Sequence, residues 1–154
     1  MASRAPARAD RGLRAPGRRQ PRGSGQRARA SRDRCRDEAP MRRGEIWEAE
    51  LRPRSGSEQS GRRPVLVMSN DGFNQVPTWR SVVVVPCSTS DKQRARGPTA
   101  VPLRKGAGGL RKGSVALCHQ VTTLDREKLV ARWGALDADD LAAVEEGLRA
   151  ALDL

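Results

Sequence analysis

The chemistry this sequence can offer starts at Arg63. It follows a glycine-flanked polar loop, Gly56-Ser57-Glu58-Gln59-Ser60-Gly61, and Arg62. Pro64 and the apolar run Val65-Leu66-Val67-Met68 come next. Glycine at each end lets the loop turn tightly or approach a ligand closely. Pro64 locks φ, and the apolar run reads as a buried strand. A guanidinium held where a mobile loop meets a rigid element can keep a geometry. Its planar fork donates two parallel hydrogen bonds to phosphate oxygens. A second group is the hydroxyl of Ser88, which closes Ser81-Val82-Val83-Val84-Val85-Pro86-Cys87-Ser88. It can donate a further hydrogen bond or relay a proton. RNA is cut without a metal when its own 2′-OH attacks the adjacent phosphate, and that reaction needs one group of each kind.

The elements that would position these groups can be read from pattern. In Glu45-Ile46-Trp47-Glu48-Ala49-Glu50-Leu51, the residues Trp47, Ala49 and Leu51 alternate with Glu48 and Glu50, which predicts a half-buried strand with one wet face. Arg52-Pro53 ends it, and the strand after the loop runs to Ser69. Asn70-Asp71-Gly72 is a turn signal, with one helical turn expected within residues 72–79. Four consecutive valines predict a strand buried on both faces. Pro86 is expected to interrupt its ladder and leave Cys87 and Ser88 at a bulge or strand end. Residues 91–97 read as a basic loop, 99–103 as a shorter edge strand, and 105–113 as a flexible basic loop. Residues 114–121 read as one strand, and 128–136 as a short additional one. Asp137, with Asp140 three residues on, predicts a helix N-terminus, and Leu141, Val144, Leu148 and Ala151 or Leu152 fall on one face. No long crossover is available, so the sheet should be antiparallel, a twisted half-barrel with a C-terminal helix.

Charge is unevenly placed along the 154 residues, whose net charge is +12. Residues 1–40 carry 12 Arg against 4 acidic residues, a surplus of 8; residues 41–154 carry 18 basic against 14 acidic, a surplus of 4. A basic excess favours polyanions, nucleic acid above all, but two-thirds of it lies in a segment too poor in large apolar residues to fold. Three readings of residues 1–40 stay open: a disordered nucleic-acid-binding arm, a transit peptide, or translation that starts at Met41. The acids and prolines count against the second. Cys35, Cys87 and Cys118 are odd in number and lack CxxC spacing, which argues against a disulfide framework or a zinc site. Cys87 and Cys118 read as buried thiols in a reducing cytosol. No apolar stretch approaches the ~20 residues of a membrane span. No metal and no cofactor is expected. His119 is the only histidine, so a two-histidine ribonuclease mechanism is unavailable. It reads as a packed or interface residue.

The blocks RRGEIWEAELRP, GSEQSGRRPVLVMSNDGFN, SVVVVPCSTS and GLRKGSVALCHQVTTLD stand in the order of the MazF/PemK family of toxin ribonucleases, which the chain resembles from Met41 onward. The resemblance implies a small antiparallel SH3-like barrel with a C-terminal helix, used as a homodimer. It implies a cytoplasmic, metal-independent endoribonuclease that cuts single-stranded RNA to a 2′,3′-cyclic phosphate and a 5′-hydroxyl. It also implies a MazE-like antitoxin whose acidic segment blocks the groove. The family's catalytic Arg before Pro matches Arg63. Its second catalytic residue is usually a Thr ending the third strand. Without gaps that position holds Ser88, which is preferred, although a one-residue bulge at Pro86 would bring in Thr89. Gly56, Ser57, Glu58, Gln59, Arg62, Trp79 and Gln120 are assigned to RNA binding. Glu58 could accept a proton or pin Arg63 by an ion pair. Arg63 stays charged near neutral pH, so its safest role is stabilising the transition state. Trp47 and Trp133 read as packing residues. Base specificity would lie in the loops at 52–62, 72–80, 91–97 and 104–113. Two rivals remain: a CcdB-like toxin that acts by binding DNA gyrase, and a nucleic-acid-binding module with a degenerate site. RNA cleavage with and without chelator separates them.

Overall fold

The computed structural model describes residues 40–53, 55–56 and 58–154. The expectation for the N-terminal segment therefore lies outside the described residues, Pro40 apart. Seven strands follow the order β1 Glu45–Glu50, β2 Arg62–Val67, β3 Ser81–Ser88, β4 Ala100–Leu103, β5 Ser114–Leu117, β6 Thr122–Asp125 and β7 Leu129–Ala135. The sheet runs β4-β5-β3-β2-β1-β7, with β6 also on β3. Every described pair is antiparallel. This matches the expected mainly antiparallel architecture, with β4 at an edge.

Two apolar clusters hold the sheet, one on each face. The first joins Ile46, Leu66, Met68, Val85, Cys87, Val101, Leu103, Ala116 and Cys118, and is covered by helix α3, Ala138–Leu152. Val144 is fully buried there; Leu141, Leu148 and Ala151 pack beside it, while Leu152 is exposed. Asp137 caps α3 as expected, accepting from the Asp140 N–H at 2.8 Å. Arg104 adds an ion pair to the same carboxylate. The second cluster joins Ala49, Leu51, Val65, Val67, Val82, Val84, Leu124 and Leu129, with Trp47 against it. β1 is thus less one-sided than its alternation predicts, because Ile46 is fully buried on the helix side. The two buried thiols are inert: desolvation pushes Cys87 up to about 12 and Cys118 up to about 11, with Cys118 adding to the effect at Cys87.

Several expectations are corrected. Residues 114–121 do not form one strand. β5 stops at Leu117, Cys118–Gln120 make one turn of 3₁₀ helix, and the chain leaves as β6. The cause is β3, which pairs with β6 over Ser81–Val84 and with β5 over Cys87–Ser88 on the same edge, so the chain must turn a corner between the two. Val83 is 37 % exposed rather than buried, although Val85 on the same face of β3 is fully buried. Residues 91–94 form a short helix, α2, inside the expected loop, and the first helical turn, α1, is Asp71–Asn74, capped by Asn70. The 105–113 segment is packed rather than loose: Ala107 and Gly108 are buried. A Cβ on Gly109 would lie 2.6 Å from the Trp133 carbonyl oxygen, and one on Gly134 would lie 2.9 Å from Gly108, so backbone meets backbone there. β7 is a full seven-residue strand that pairs with β1.

Pro86 neither ends β3 nor breaks its ladder to β2, where it faces Val65. The Met68 N–H donates to the Val83 carbonyl at 2.8 Å. Antiparallel alternation then directs Val83 and Val85 at β2 and turns Pro86 to the other edge. On that edge β6 has ended at Val84 and β5 begins only at Cys87. A proline brings no N–H for this gap to leave unpaired.

Candidate active site

The loop between β1 and β2 is closed at its base by the Leu51 N–H donating to the Gly61 carbonyl at 3.0 Å. Gly56 and Gly61 both take positive φ, 63° and 80°, which the loop's turns require. Ser57 lies outside the described residues. Beyond the turn, β2 opens with Arg62 and Arg63. Arg62 is exposed and sits 4.0 Å from Glu50. Arg63 is half-buried, and its Nε donates to the Ser60 carbonyl at 2.9 Å. Its two terminal nitrogens make no hydrogen bond or ion pair among the described residues. One arm of the fork is therefore anchored to the loop, and the other two have no partner among the described residues.

The β2–β3 ladder, Val67↔Val84, Leu66↔Val85 and Val65↔Pro86, ends two residues short of this arginine. Extended by two residues, the same register would bring Arg63 toward Ser88. The two hydroxyls at this strand end differ in access. Ser88 is buried and its Oγ accepts the Ser90 N–H at 3.2 Å, while Thr89 is exposed.

Beside this corner lies a cavity of about 330 Å³. Glu58 and Gln59 line it from the loop, Pro86 from β3, Arg96 from the segment after α2, and residues 119–122 from the corner between β5 and β6. The Gln59 N–H donates to the Gln120 side-chain carbonyl at 3.2 Å, which docks the loop onto that corner. Glu58, Gln59 and Gln120 thus share one cavity wall. Trp79 does not join them. It precedes Ser81, at the opposite end of an eight-residue strand from Ser88, roughly 20 Å away at ~3.3 Å per residue. One face of its ring is stacked on Phe73, with centroids 4.9 Å apart. Trp47 and Trp133 pack against the two cores, and Arg111 lies over the Trp133 ring.

Arg96 is the site residue that sequence reasoning did not single out, beyond placing it in a basic loop. Its relation to His119 is set by tertiary packing, and no local pattern marks it. His119 itself was read as a packed residue. It is packed, with Nδ1 3.2 Å from Thr99 Oγ1, and its residue also lines the cavity, while its Nε2 is buried without a hydrogen-bond partner among the described residues.

A small antiparallel sheet capped by a C-terminal helix carries a half-anchored arginine and two hydroxyls near one strand end, groups with the chemistry to hold a phosphate. The sequence matches the profile of the family described as "PemK-like, MazF-like toxin of type II toxin-antitoxin system" over residues 42–152. The chain belongs to this family of MazF/PemK toxin endoribonucleases. It is 35 % identical over 114 residues to endoribonuclease EndoA of Bacillus subtilis, covering 74 % of this chain and 96 % of that protein. Among solved structures, MazF from Deinococcus radiodurans superposes with a TM-score of 0.61 at 28 % identity, covering 75 % of this chain and 99 % of that one. A mycobacterial endoribonuclease solved in complex with its cognate antitoxin gives a TM-score of 0.60 at 26 % identity, covering 75 % and 97 %.

Proposed function

We propose that this chain cuts single-stranded RNA by attack of a 2′-OH on the adjacent phosphate, leaving a 2′,3′-cyclic phosphate and a 5′-hydroxyl. The observation that carries the reading is Arg63 at the start of β2, its Nε anchored to the loop and its two Nη atoms without a partner among the described residues, on the strand whose register with β3, extended two residues, leads to Ser88. A phosphate seated there receives two parallel guanidinium hydrogen bonds as its oxygens gain charge. Anchoring Nε to the Ser60 carbonyl fixes the fork before substrate arrives. The exposed Thr89 hydroxyl donates to the phosphate or relays the proton. Ser88 holds the strand end through its bond to the Ser90 N–H. The sequence alone favours Ser88 for the donor; burial shifts that role to Thr89. Gly56, Glu58, Gln59, Arg62 and Gln120 contact the RNA around the phosphate; Ser57, assigned to the same role, lies outside the described residues.

The same reading includes a homodimer and an antitoxin. Phe73, Val76, Trp79 and Val83 are 37–49 % exposed, an apolar surface that a second copy would cover. An acidic antitoxin segment laid over Arg62, Arg63 and Arg96 would block the phosphate site. No helix among the described residues is long and apolar enough to cross a membrane, and the reading places the toxin beside its RNA in the cytoplasm. The deciding experiment incubates the purified chain with a long RNA and with the same RNA carrying one 2′-deoxy sugar 5′ of a mapped cut. Cleavage should fail at that bond alone and continue in chelator. Cutting of the deoxy bond, or a strict magnesium requirement, overturns the mechanism. Sedimentation showing only monomer at micromolar concentration removes the dimer.

A further inference from the structure

The cavity between the β1–β2 loop and the corner after β5 has a wall that the phosphate chemistry does not use. We propose that it is a single-nucleotide subsite in which His119 Nε2 reads the edge of one base and Arg96 holds that nucleotide's phosphate. The proposal rests on the RNA-cleaving reading and adds which residues set its base preference.

Thr99 Oγ1 engages His119 Nδ1 at 3.2 Å, whichever of the two carries the proton. The other ring nitrogen, Nε2, is buried and has no hydrogen-bond partner among the described residues. A buried unpaired polar atom carries a desolvation cost, so one beside a cavity calls for a ligand that completes its hydrogen bond. The Watson–Crick edge of a splayed base offers both donors and acceptors, and protein cavities read single-stranded RNA this way.

The surroundings fit one nucleotide. A volume of about 330 Å³ lies at the small end of the ~300–1,000 Å³ of ligand cavities, room for one heterocycle and its sugar. Pro86 forms part of the wall at the gap where β3 changes partners, an apolar surface without a backbone donor. Arg96 is exposed and joins the lining, a fixed cation at the solvent side for a phosphate. The Gln59 to Gln120 hydrogen bond sets the distance between the loop and the corner. Arg63 does not line the cavity, so reading and cutting fall to different side chains of one corner.

The single histidine makes the test direct, because ¹⁵N-labelled imidazole gives one pair of ring resonances. The full chain is titrated with AMP, CMP, GMP, UMP and inorganic phosphate. We expect at least one nucleotide to move the Nε2 resonance as that nitrogen gains a hydrogen bond, and phosphate alone to leave it in place. In parallel, a long RNA is cut by the wild-type chain, His119→Leu and Arg96→Gln. His119→Leu should lower the preference for one base at one position about tenfold. Arg96→Gln should weaken all four nucleotides alike. The subsite is refuted if no nucleotide moves Nε2, if phosphate moves it as far, or if His119→Leu leaves the cut profile unchanged. A wild-type chain that cuts no RNA refutes instead the function on which the subsite rests, and the titration is then read by itself.

Discussion

Gly147→Ala sets two effects of known sign against each other. Gly147 lies in the middle of α3, where alanine is favoured over glycine by about 1 kcal/mol. It is also where α3 touches the sheet. A Cβ at this position would stand 2.5 Å from Val101 Cγ2, 2.8 Å from Cys118 Sγ and 3.3 Å from the Pro98 carbonyl oxygen. Carbon contacts settle near ~3.5–4.0 Å, so the helix or the corner must yield by about 1 Å. Overpacking of this kind costs about 1–3 kcal/mol. Steric cost exceeds propensity, and the variant should lose about 1 kcal/mol, which lowers Tm by about 4 °C in a domain of this size. Urea and thermal unfolding measure the loss. Ala143→Gly on the exposed face is the control, since it removes propensity alone and should also cost about 1 kcal/mol. The displaced atoms belong to Cys118 and Pro98, next to His119 and Thr99, so the His119 ring resonances should shift as well. A Gly147→Ala chain that is more stable than wild type would show that α3 packs less tightly than the geometry states.

Arg63→Ala should lower RNA cleavage about a hundred- to thousand-fold with unfolding unchanged, as loss of an oxyanion donor does, and Arg63→Lys should also be badly impaired because a point charge cannot reproduce the fork; gel-resolved single-turnover rates decide it, and near-wild-type cutting by Arg63→Lys would discard the bidentate role. Thr89→Ala should slow cleavage more than Ser88→Ala, and Thr89→Ser should be tolerated; the reverse order returns the hydroxyl role to Ser88. The Asp137 carboxyl is held below the usual carboxylate range, first by the Asp140 N–H and then by Arg104. A lowered folded-state value means its contribution is present at neutral pH and fades as pH falls below about 4 and through that value. Asp137→Asn keeps a capping acceptor and loses the charge, so its urea midpoint should lie below wild type at pH 7 and converge on it as pH falls through the lowered value; a gap independent of pH would refute the ionic part.

What the sequence made legible is what local chemistry decides. The Asp137 cap, the helical face through Leu141, Val144 and Leu148, the edge strand at Ala100–Leu103 and the arginine at the loop–strand boundary each depend on neighbours within a few residues. The misses depend on partners far along the chain. Nothing near Leu117 or Val121 announces a corner; it exists because β3 takes β6 and β5 in succession on one edge. The glycines at 106, 108 and 109 look like a loose loop, yet a Cβ on Gly108 would meet the Ile46 side chain at 2.7 Å and one on Gly109 the Trp133 carbonyl oxygen at 2.6 Å. Val83 reads as core in a run of valines, yet it is 37 % exposed although Val85, two residues on along the same face of β3, is fully buried.

The same long-range logic would place the proposed recognition and cleavage groups at one corner. β3 pairs with β2, β5 and β6, and its partner change at Pro86 opens the cavity, while the two residues after Cys87 carry the hydroxyls. The β1–β2 loop is tied at two points, to Arg63 through Ser60 and to the corner through Gln59 and Gln120. A base that enters beside His119 therefore presses on the loop that also orients Arg63. Binding energy gathered at the base can then be used to align the phosphate, and differential binding requires that coupling of a site that must refuse most RNA sequences. Loosening Gln120 should accordingly blunt base preference and cleavage rate together, whereas a change at Thr89 should touch rate alone.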